Sequence, residues 1–91
     1  MPHTTRSRDK LKARLARIRG QVDGVGRALD EERDCGAVLQ QVAAIRGAVA
    51  GLMAELLEGH VREHLAAEDV PEADRLQAAD ELVEVLRRYL R

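Results

Sequence analysis

The sequence has almost no aromatic residues, and this scarcity limits the core that the chain can build. Tyr89 is the single aromatic residue among 91, so the core must consist of Leu, Val, Ile and Ala. A chain this short buries only about 60% of its unfolded surface. We therefore expect one domain, residues 1–91, whose core is completed by the association of subunits.

Several other features are missing. One cysteine cannot form an intrachain disulfide, and a lone thiol is typical of the reducing cytoplasm. No uninterrupted apolar run approaches the roughly 20 residues that cross a bilayer, and the N-terminus has no hydrophobic signal segment. The sequence also lacks a Gly-rich loop and an acid placed to orient a histidine. We predict a cytoplasmic protein with no membrane partner that is not an enzyme.

The positive charge that is present is concentrated at one end. Residues 1–22 carry a net charge of +6, and the rest of the chain carries −7, which gives −1 overall. A basic face on a nearly neutral chain indicates a polyanionic partner, most commonly nucleic acid. The residues predicted to contact DNA are Lys10, Lys12, Arg14, Arg17 and Arg19. A solvated helix face is the alternative, but such a face usually intersperses acids, and only Asp9 is present here.

The pattern of apolar residues predicts three helices, at roughly 6–31, 35–66 and 73–90, and no strands. The first helix has a heptad stripe, which is typical of a helix packed along another helix. The stripe consists of Leu11, Leu15, Ile18, Val22, Val25 and Leu29. Its glycines at 20, 24 and 26 weaken helix formation by up to about 1 kcal/mol each, so we expect local irregularity.

The second helix is unusually long for a chain of this size, at about 48 Å. Asp34 is a suitable N-cap for it, and Pro71 separates it from the last helix. Three amphipathic helices, one of them so long, favour an all-α protomer. We expect a dimeric core of four antiparallel helices to which the third helix is appended.

The same long helix carries candidate metal ligands. His60 and His64 are four residues apart, so their imidazoles lie on one face and can bind one ion. Hydrogen-bonded interface histidines are the alternative. Cys35 stands at the helix start, where the N-terminus favours the thiolate that binds metals. A lone cysteine is otherwise most often a small buried apolar residue.

Cys35 and His60 would lie about 38 Å apart on one straight helix and could not share an ion. They could do so if two copies of the helix ran antiparallel. The amine of Pro2, exposed once Met1 is removed, and the imidazole of His3 could add nitrogen ligands. One thiolate with several nitrogens suits Ni(II), Co(II) or Zn(II), and extra N-terminal donors favour Ni(II) or Co(II) over Zn(II).

Several stretches also carry a resemblance to a known family: 17–22 (RIRGQV), Cys35, 38–48 (VLQQVAAIRGA), 51–53 (GLM) and His60. In this order they resemble the CsoR/RcnR/FrmR group of bacterial repressors over nearly the whole chain. The resemblance implies an all-α homotetramer, a disc-like dimer of dimers with an effector site shared between chains. It also implies that the apo form binds operator DNA and that the effector releases it.

The resemblance leaves the effector open. His64 stands where copper sensors of the group have a second Cys, which argues against copper. His3, Cys35, His60 and His64 match the ligand pattern of RcnR-type nickel and cobalt sensors. Pro2 directly after Met, paired with Cys35, is similar to FrmR-type formaldehyde sensors. We therefore predict a Ni(II)- or Co(II)-responsive repressor, with a formaldehyde-responsive repressor and a helical adaptor without a DNA role as alternatives.

Overall fold

The chain folds into helices throughout the part that the structure describes. The structure is a computed structural model that describes the backbone of residues 3–90 and the side chains of residues 7–90. It contains α1 (His3–Asp30), α2 (Cys35–His60) and α3 (Glu72–Tyr89), with a π-helix at Val61–Leu65 after α2 and no strand between residues 3 and 90. The prediction of an all-α fold with three main helices is confirmed.

The chain contains two compact units. Arg8–Ala54 forms the first, an antiparallel pair made of most of α1 and the first part of α2. The chain from Glu55 onward forms the main part of the second, with the end of α2, the π-helix and α3. Two proximities show that the helices of this pair are antiparallel: Gly24 lies near Gln41, and Arg14 lies near Gly51.

Helix α1 is longer and more regular than its sequence predicts. It begins at His3 rather than at residue 6, because the polar residues of its first turns carry no apolar period that would mark a start. The expected irregularity at the glycines was wrong, since α1 is α-helical from His3 to Asp30. A helix packed along a second helix tolerates the small propensity cost of single glycines.

A short turn joins α1 to α2, and hydrogen bonds at the end of α1 and at the start of α2 stabilise it. The amide of Arg33 donates to the carbonyl of Ala28 (3.0 Å) and the amide of Glu32 to that of Leu29 (3.1 Å), which is a Schellman motif. Glu32 holds the left-handed position of this motif, with φ of 54°. On the other side, the carboxylate of Asp34 accepts a hydrogen bond from the Ala37 amide at 3.2 Å, which makes it the N-cap of α2.

Replacing Glu32 with Gly should stabilise the protein by up to about 1 kcal/mol. A non-glycine residue in the left-handed region costs about 1–2 kcal/mol, and the greater freedom of glycine in the unfolded chain cancels part of the gain. Thermal unfolding at fixed protein concentration measures the change. The control is Glu31→Gly, one residue earlier at negative φ, which should destabilise. A lower melting temperature for Glu32→Gly would contradict the expectation.

The second helix ends earlier than predicted and continues as a π-helix. The amide of Ala66 donates to the carbonyl of Val61 at 2.8 Å, a bond that spans five residues instead of four. The helix predicted to run to about residue 66 therefore reaches Leu65, but its last turn is a π-turn. Apolar spacing does not distinguish an α-turn from a single wider turn. This π-helix packs against α3.

The loop before α3 is held by one arginine. Nη2 of Arg75 donates to the carbonyl oxygens of Ala67 (3.0 Å) and Val70 (3.1 Å). Pro71 then precedes the first residue of α3, with φ of −59° and ψ of 147°, as expected of a residue that cannot continue a helix. Glu72 and Asp74 lie in the first turn, where negative charge is favourable.

Little of the apolar surface is buried within one chain. Among residues 7–90 only Ile18, Ala28 and Ala78 are buried, and α2 has no buried residue. Only part of the α1 stripe faces α2, because Leu15, Val22 and Leu29 remain about half exposed or more (47%, 52% and 62%). A core this small leaves apolar surface that is normally covered by another molecule.

The apolar character of α2 is greater than its short apolar runs indicate. Cys35–Leu65 is a continuous 31-residue helical segment with a window of mean hydropathy 1.4, so its length and composition would allow it to cross a membrane. The uninterrupted-run criterion missed this, because Arg46 and the glutamines at 40 and 41 break the run but leave the average high. The central helix of a soluble protein meets the same criterion, so this is weak evidence for a membrane.

Candidate metal centre and nucleic-acid interface

Two histidines come together in the second compact unit. His60 is the last residue of α2 and His64 lies in the π-helix. Their ring centroids are 5.3 Å apart with the planes tilted by 50°, and both residues are half-buried. The predicted proximity of the two imidazoles is therefore present in the structure, although the turn that joins them is wider than an α-turn.

The ring of His60 is oriented by α3. Its Nε2 lies 2.9 Å from the carbonyl oxygen of Ala78, a buried residue of α3. Because a carbonyl only accepts, Nε2 must carry the proton, and a neutral ring then has its lone pair on Nδ1. Histidines that bind metals typically donate their other ring N–H to a carbonyl or a carboxylate in this way. The arrangement fits a metal ligand that binds through Nδ1.

Cys35 is the first residue of α2 and is exposed. It directly follows the N-cap Asp34, so it stands at the helix end where backbone amides point outward. An exposed thiol in this position can bind a metal ion or react with an electrophile. Cys35 is not in a disulfide.

A complete metal site is not assembled within the side chains that the structure describes. Among them no group of three or more His, Cys, Asp or Glu residues is placed to hold an ion. Cys35 and His60 are the first and the last residue of α2. Two further predicted ligands, Pro2 and the side chain of His3, lie outside the described part of the chain.

The basic residues of α1 differ in their exposure. Lys10, Lys12, Arg17 and Arg19 are exposed, as expected of groups that meet phosphates. Arg14 is only half-buried rather than exposed, and its guanidinium lies against α2 at Gly51. The predicted set of five is thus four exposed cations and one that is held against the neighbouring helix.

A recess lies between α1 and α2 in the first compact unit. It is lined by Arg17, Gly20, Gln21, Gly24, Gln41 and Ala44. Oε1 of Gln41 is buried and has no hydrogen-bond partner among the described residues. Gln41 was not predicted to line a recess, although a glutamine among the small residues of an apolar helix was a signal for it.

The comparisons with known proteins define the class. The family model described as "Metal-sensitive transcriptional repressor" matches residues 7–88. RcnR of Salmonella typhimurium, a transcriptional repressor, is 48% identical over 91 residues, which is 100% of both chains. An uncharacterized protein from the bioA 5′ region of Serratia marcescens is 55% identical over the same length. The chain therefore belongs to the metal-sensitive transcriptional repressors, the CsoR/RcnR/FrmR family, and not to a family of enzymes.

Two solved structures share its fold. One is a Glu-to-His variant of the formaldehyde-responsive regulator FrmR from Salmonella enterica serovar Typhimurium. It has a TM-score of 0.88 and 40% identity, and the match covers 97% of this chain and 99% of that one. The other is the copper-sensing repressor CsoR with Cu(I) from Geobacillus thermodenitrificans, with a TM-score of 0.87 and 31% identity, over 100% of this chain and 94% of that one.

Proposed function

We propose that this repressor responds to Ni(II) or Co(II) and releases its operator when the ion binds, which derepresses genes for metal efflux or detoxification. The observation that carries the proposal is the paired imidazoles of His60 and His64, with His60 oriented by the Ala78 carbonyl. The full-length similarity to RcnR supports it. Two imidazoles and one thiolate are suited to borderline divalent ions and poorly suited to Cu(I), which prefers more sulfur.

The thiolate would come from a second chain. Residues 25 positions apart on one helix are about 38 Å apart and cannot bind the same ion. Two copies of α2 that run antiparallel place Cys35 of one chain beside His60 and His64 of the other. The scarcity of buried residues within one chain supports such a dimer, and two dimers would form the homotetramer.

Ligands from the N-terminus would decide between ions. With Cys35, His60 and His64 alone, the site has three ligands and suits Zn(II) in tetrahedral geometry. If the amine of Pro2 and the imidazole of His3 also bind, the coordination number can reach six, which favours Ni(II) or Co(II). Because His3 starts α1, its recruitment would connect the effector site to the helix that carries the basic residues.

The operator would be bound by the basic part of α1. Lys10, Lys12, Arg17 and Arg19 are exposed and can reach phosphates, and Arg14 completes the set. Each phosphate contact releases counterions, so affinity should fall steeply with salt. No described element resembles a recognition helix, and we expect much of the specificity to come from DNA shape.

Anaerobic titration of the reduced protein with Co(II), followed by absorption spectroscopy, tests the proposal. Weak d–d bands with a sulfur charge-transfer band would indicate six-coordinate Co(II) with a thiolate and support the nickel and cobalt assignment. Intense d–d bands would indicate a tetrahedral site and Zn(II). The titration is repeated with a duplex from upstream of the protein's own gene. Equal Co(II) affinities with and without DNA would contradict the mechanism, because coupling between two ligands is reciprocal.

Formaldehyde is the second candidate effector, favoured by the likeness to the FrmR variant and by the exposure of Cys35. The secondary amine of Pro2 and the thiol would be joined by a methylene group, with loss of water. Mass spectrometry of formaldehyde-treated protein should then show the mass of one added carbon atom, and Cys35→Ala should not show it. An unchanged mass of the parent protein would exclude this candidate. A gel-shift experiment tests the alternative of a helical adaptor with no DNA role. If the protein binds the upstream duplex and this binding is lost at raised salt, the adaptor is excluded.

A further inference from the structure

The side chain of Arg14 lies across the backbone of α2 at a glycine. A Cβ at Gly51 would be 2.7 Å from Nη1 of Arg14 and 3.6 Å from its Cζ, closer than side chains normally approach. The two residues belong to the same compact unit, Arg8–Ala54. Only a residue without a side chain allows the guanidinium to lie in this place.

Gly51 lies in the interior of α2, where a glycine is unfavourable. It destabilises a helix interior by roughly 0.5–1 kcal/mol relative to Ala. At Gly47, one turn earlier on α2, a Cβ would meet no atom of the described chain within 4 Å. Within one chain, a methyl group added at Gly47 would therefore meet no other atom, whereas at Gly51 it would displace Arg14.

Arg14 also differs from the other basic residues of α1. Lys10, Lys12, Arg17 and Arg19 are exposed, while Arg14 is half-buried. A long exposed side chain loses rotamer freedom when it binds a phosphate, and this loss weakens binding. A guanidinium that already lies against α2 has lost part of that freedom before DNA arrives.

We propose that Gly51 is a positioning residue for DNA binding, which leaves the space beside α2 in which the Arg14 guanidinium lies when it meets a phosphate of the operator. The inference rests on the proposed function in one respect, namely that Arg14 contacts DNA. It adds that α2 determines where this cation stands. A movement of α2 against α1 would then change the position of the cation, so the two helices act on DNA together.

Gly51→Ala tests this inference, with Gly47→Ala as the matched control on the same helix. The probe is a fluorescein-labelled duplex from upstream of the protein's own gene, followed by anisotropy at fixed salt. Gly51→Ala should weaken binding by about 3- to 10-fold, the range expected for immobilising one long side chain. Gly47→Ala should leave it unchanged. Both should melt at or above the parent temperature, because Ala favours the helix, so a merely structural role predicts no loss of affinity.

The double variant distinguishes the possible failures. In an Arg14→Ala background, Gly51→Ala should have no further effect, because the two act as one unit. A further loss in that background, or unchanged or tighter binding of the single Gly51→Ala variant, would overturn the proposal. If Arg14→Ala itself left DNA affinity unchanged, the DNA role of Arg14 would fail. If Gly51→Ala did not fold, Arg14→Lys would replace it, since it keeps the charge but loses the planar group; unchanged binding would again overturn the proposal.

Discussion

Replacing Cys35 with Ala is expected to abolish the response to Ni(II) and Co(II) while operator binding by the apo protein stays within about twofold of the parent. Cys35 is the only cysteine of the chain, so it supplies the only thiolate ligand. Even the outer-shell partners of metal ligands contribute about 10- to 100-fold to affinity, so loss of a direct ligand should weaken the metal complex by more than about 100-fold.

DNA binding should survive this change for a structural reason. Cys35 is exposed at the first turn of α2, and Asp34, which caps that turn, is untouched. Ala is also a better helix former than Cys. The measurement is operator release, followed by anisotropy as Ni(II) is added to the protein–DNA complex. The control is Ser7→Ala, which changes a small polar residue near the start of α1. This variant should respond to Ni(II) like the parent.

Mixed oligomers show whether the site is shared between chains. One variant carries Cys35→Ala, and a second carries His60→Ala and His64→Ala. Neither should respond alone. Refolded together, an antiparallel pair would contain one intact site, made of Cys35 from the second variant and both histidines from the first. Recovery of a Co(II) thiolate band in the mixture supports the shared site, and no recovery in a verified mixed oligomer contradicts it.

The helices could be predicted from the sequence because their signals are local. Heptad spacing predicted α1, Asp34 predicted the start of α2, and Pro71 predicted the break before α3. The π-helix was missed, because one wider turn leaves the apolar period almost unchanged. The hydrogen bond from His60 to Ala78 could not be predicted either. Its acceptor is a backbone carbonyl, which every residue type has.

The candidate site was predictable in its residue types and only partly in its arrangement. Cys, His and His at these positions suggested a metal site, and the structure brings His60 and His64 together. The contact between Arg14 and Gly51 was missed, because a charge pattern places a cation on a face but does not show which long side chains bend back. Gly51 was visible in the sequence, but its proximity to Arg14 depends on how α1 packs against α2.

Replacing Val22 with Glu is expected to separate the subunits and unfold much of the protein. Val22 is 52% exposed within one chain and lies midway along the stripe of Leu15, Val22 and Leu29. The second helix leaves Val42 and Val49 similarly exposed, again seven residues apart. Residues that repeat every seven positions form one line along a helix, so each helix presents an apolar line that a partner can cover.

The size of the effect follows from burial at a symmetric interface. Covering a valine contributes about 1.5–3 kcal/mol, and an unpaired carboxylate in its place costs several kcal/mol more. Because twofold symmetry introduces each change twice, the dissociation constant should rise on the order of 1,000-fold or more. Sedimentation velocity should then show monomer, and circular dichroism should show a marked loss of helix. Operator binding should be lost as the subunits separate.

Ala13→Glu is the control for this experiment. Ala13 is exposed and, by helical periodicity, lies on the opposite side of α1 from Val22. The Ala13→Glu variant introduces the same charge into the same helix as Val22→Glu. It therefore separates the effect of the position from the effect of the charge on the basic segment. Association should remain while DNA binding weakens through repulsion. If Val22→Glu stayed fully associated, the stripe would not be the subunit interface. The shared metal site would then need another pairing of α2, because the thiolate and the imidazoles can meet only where two chains place opposite helix ends together.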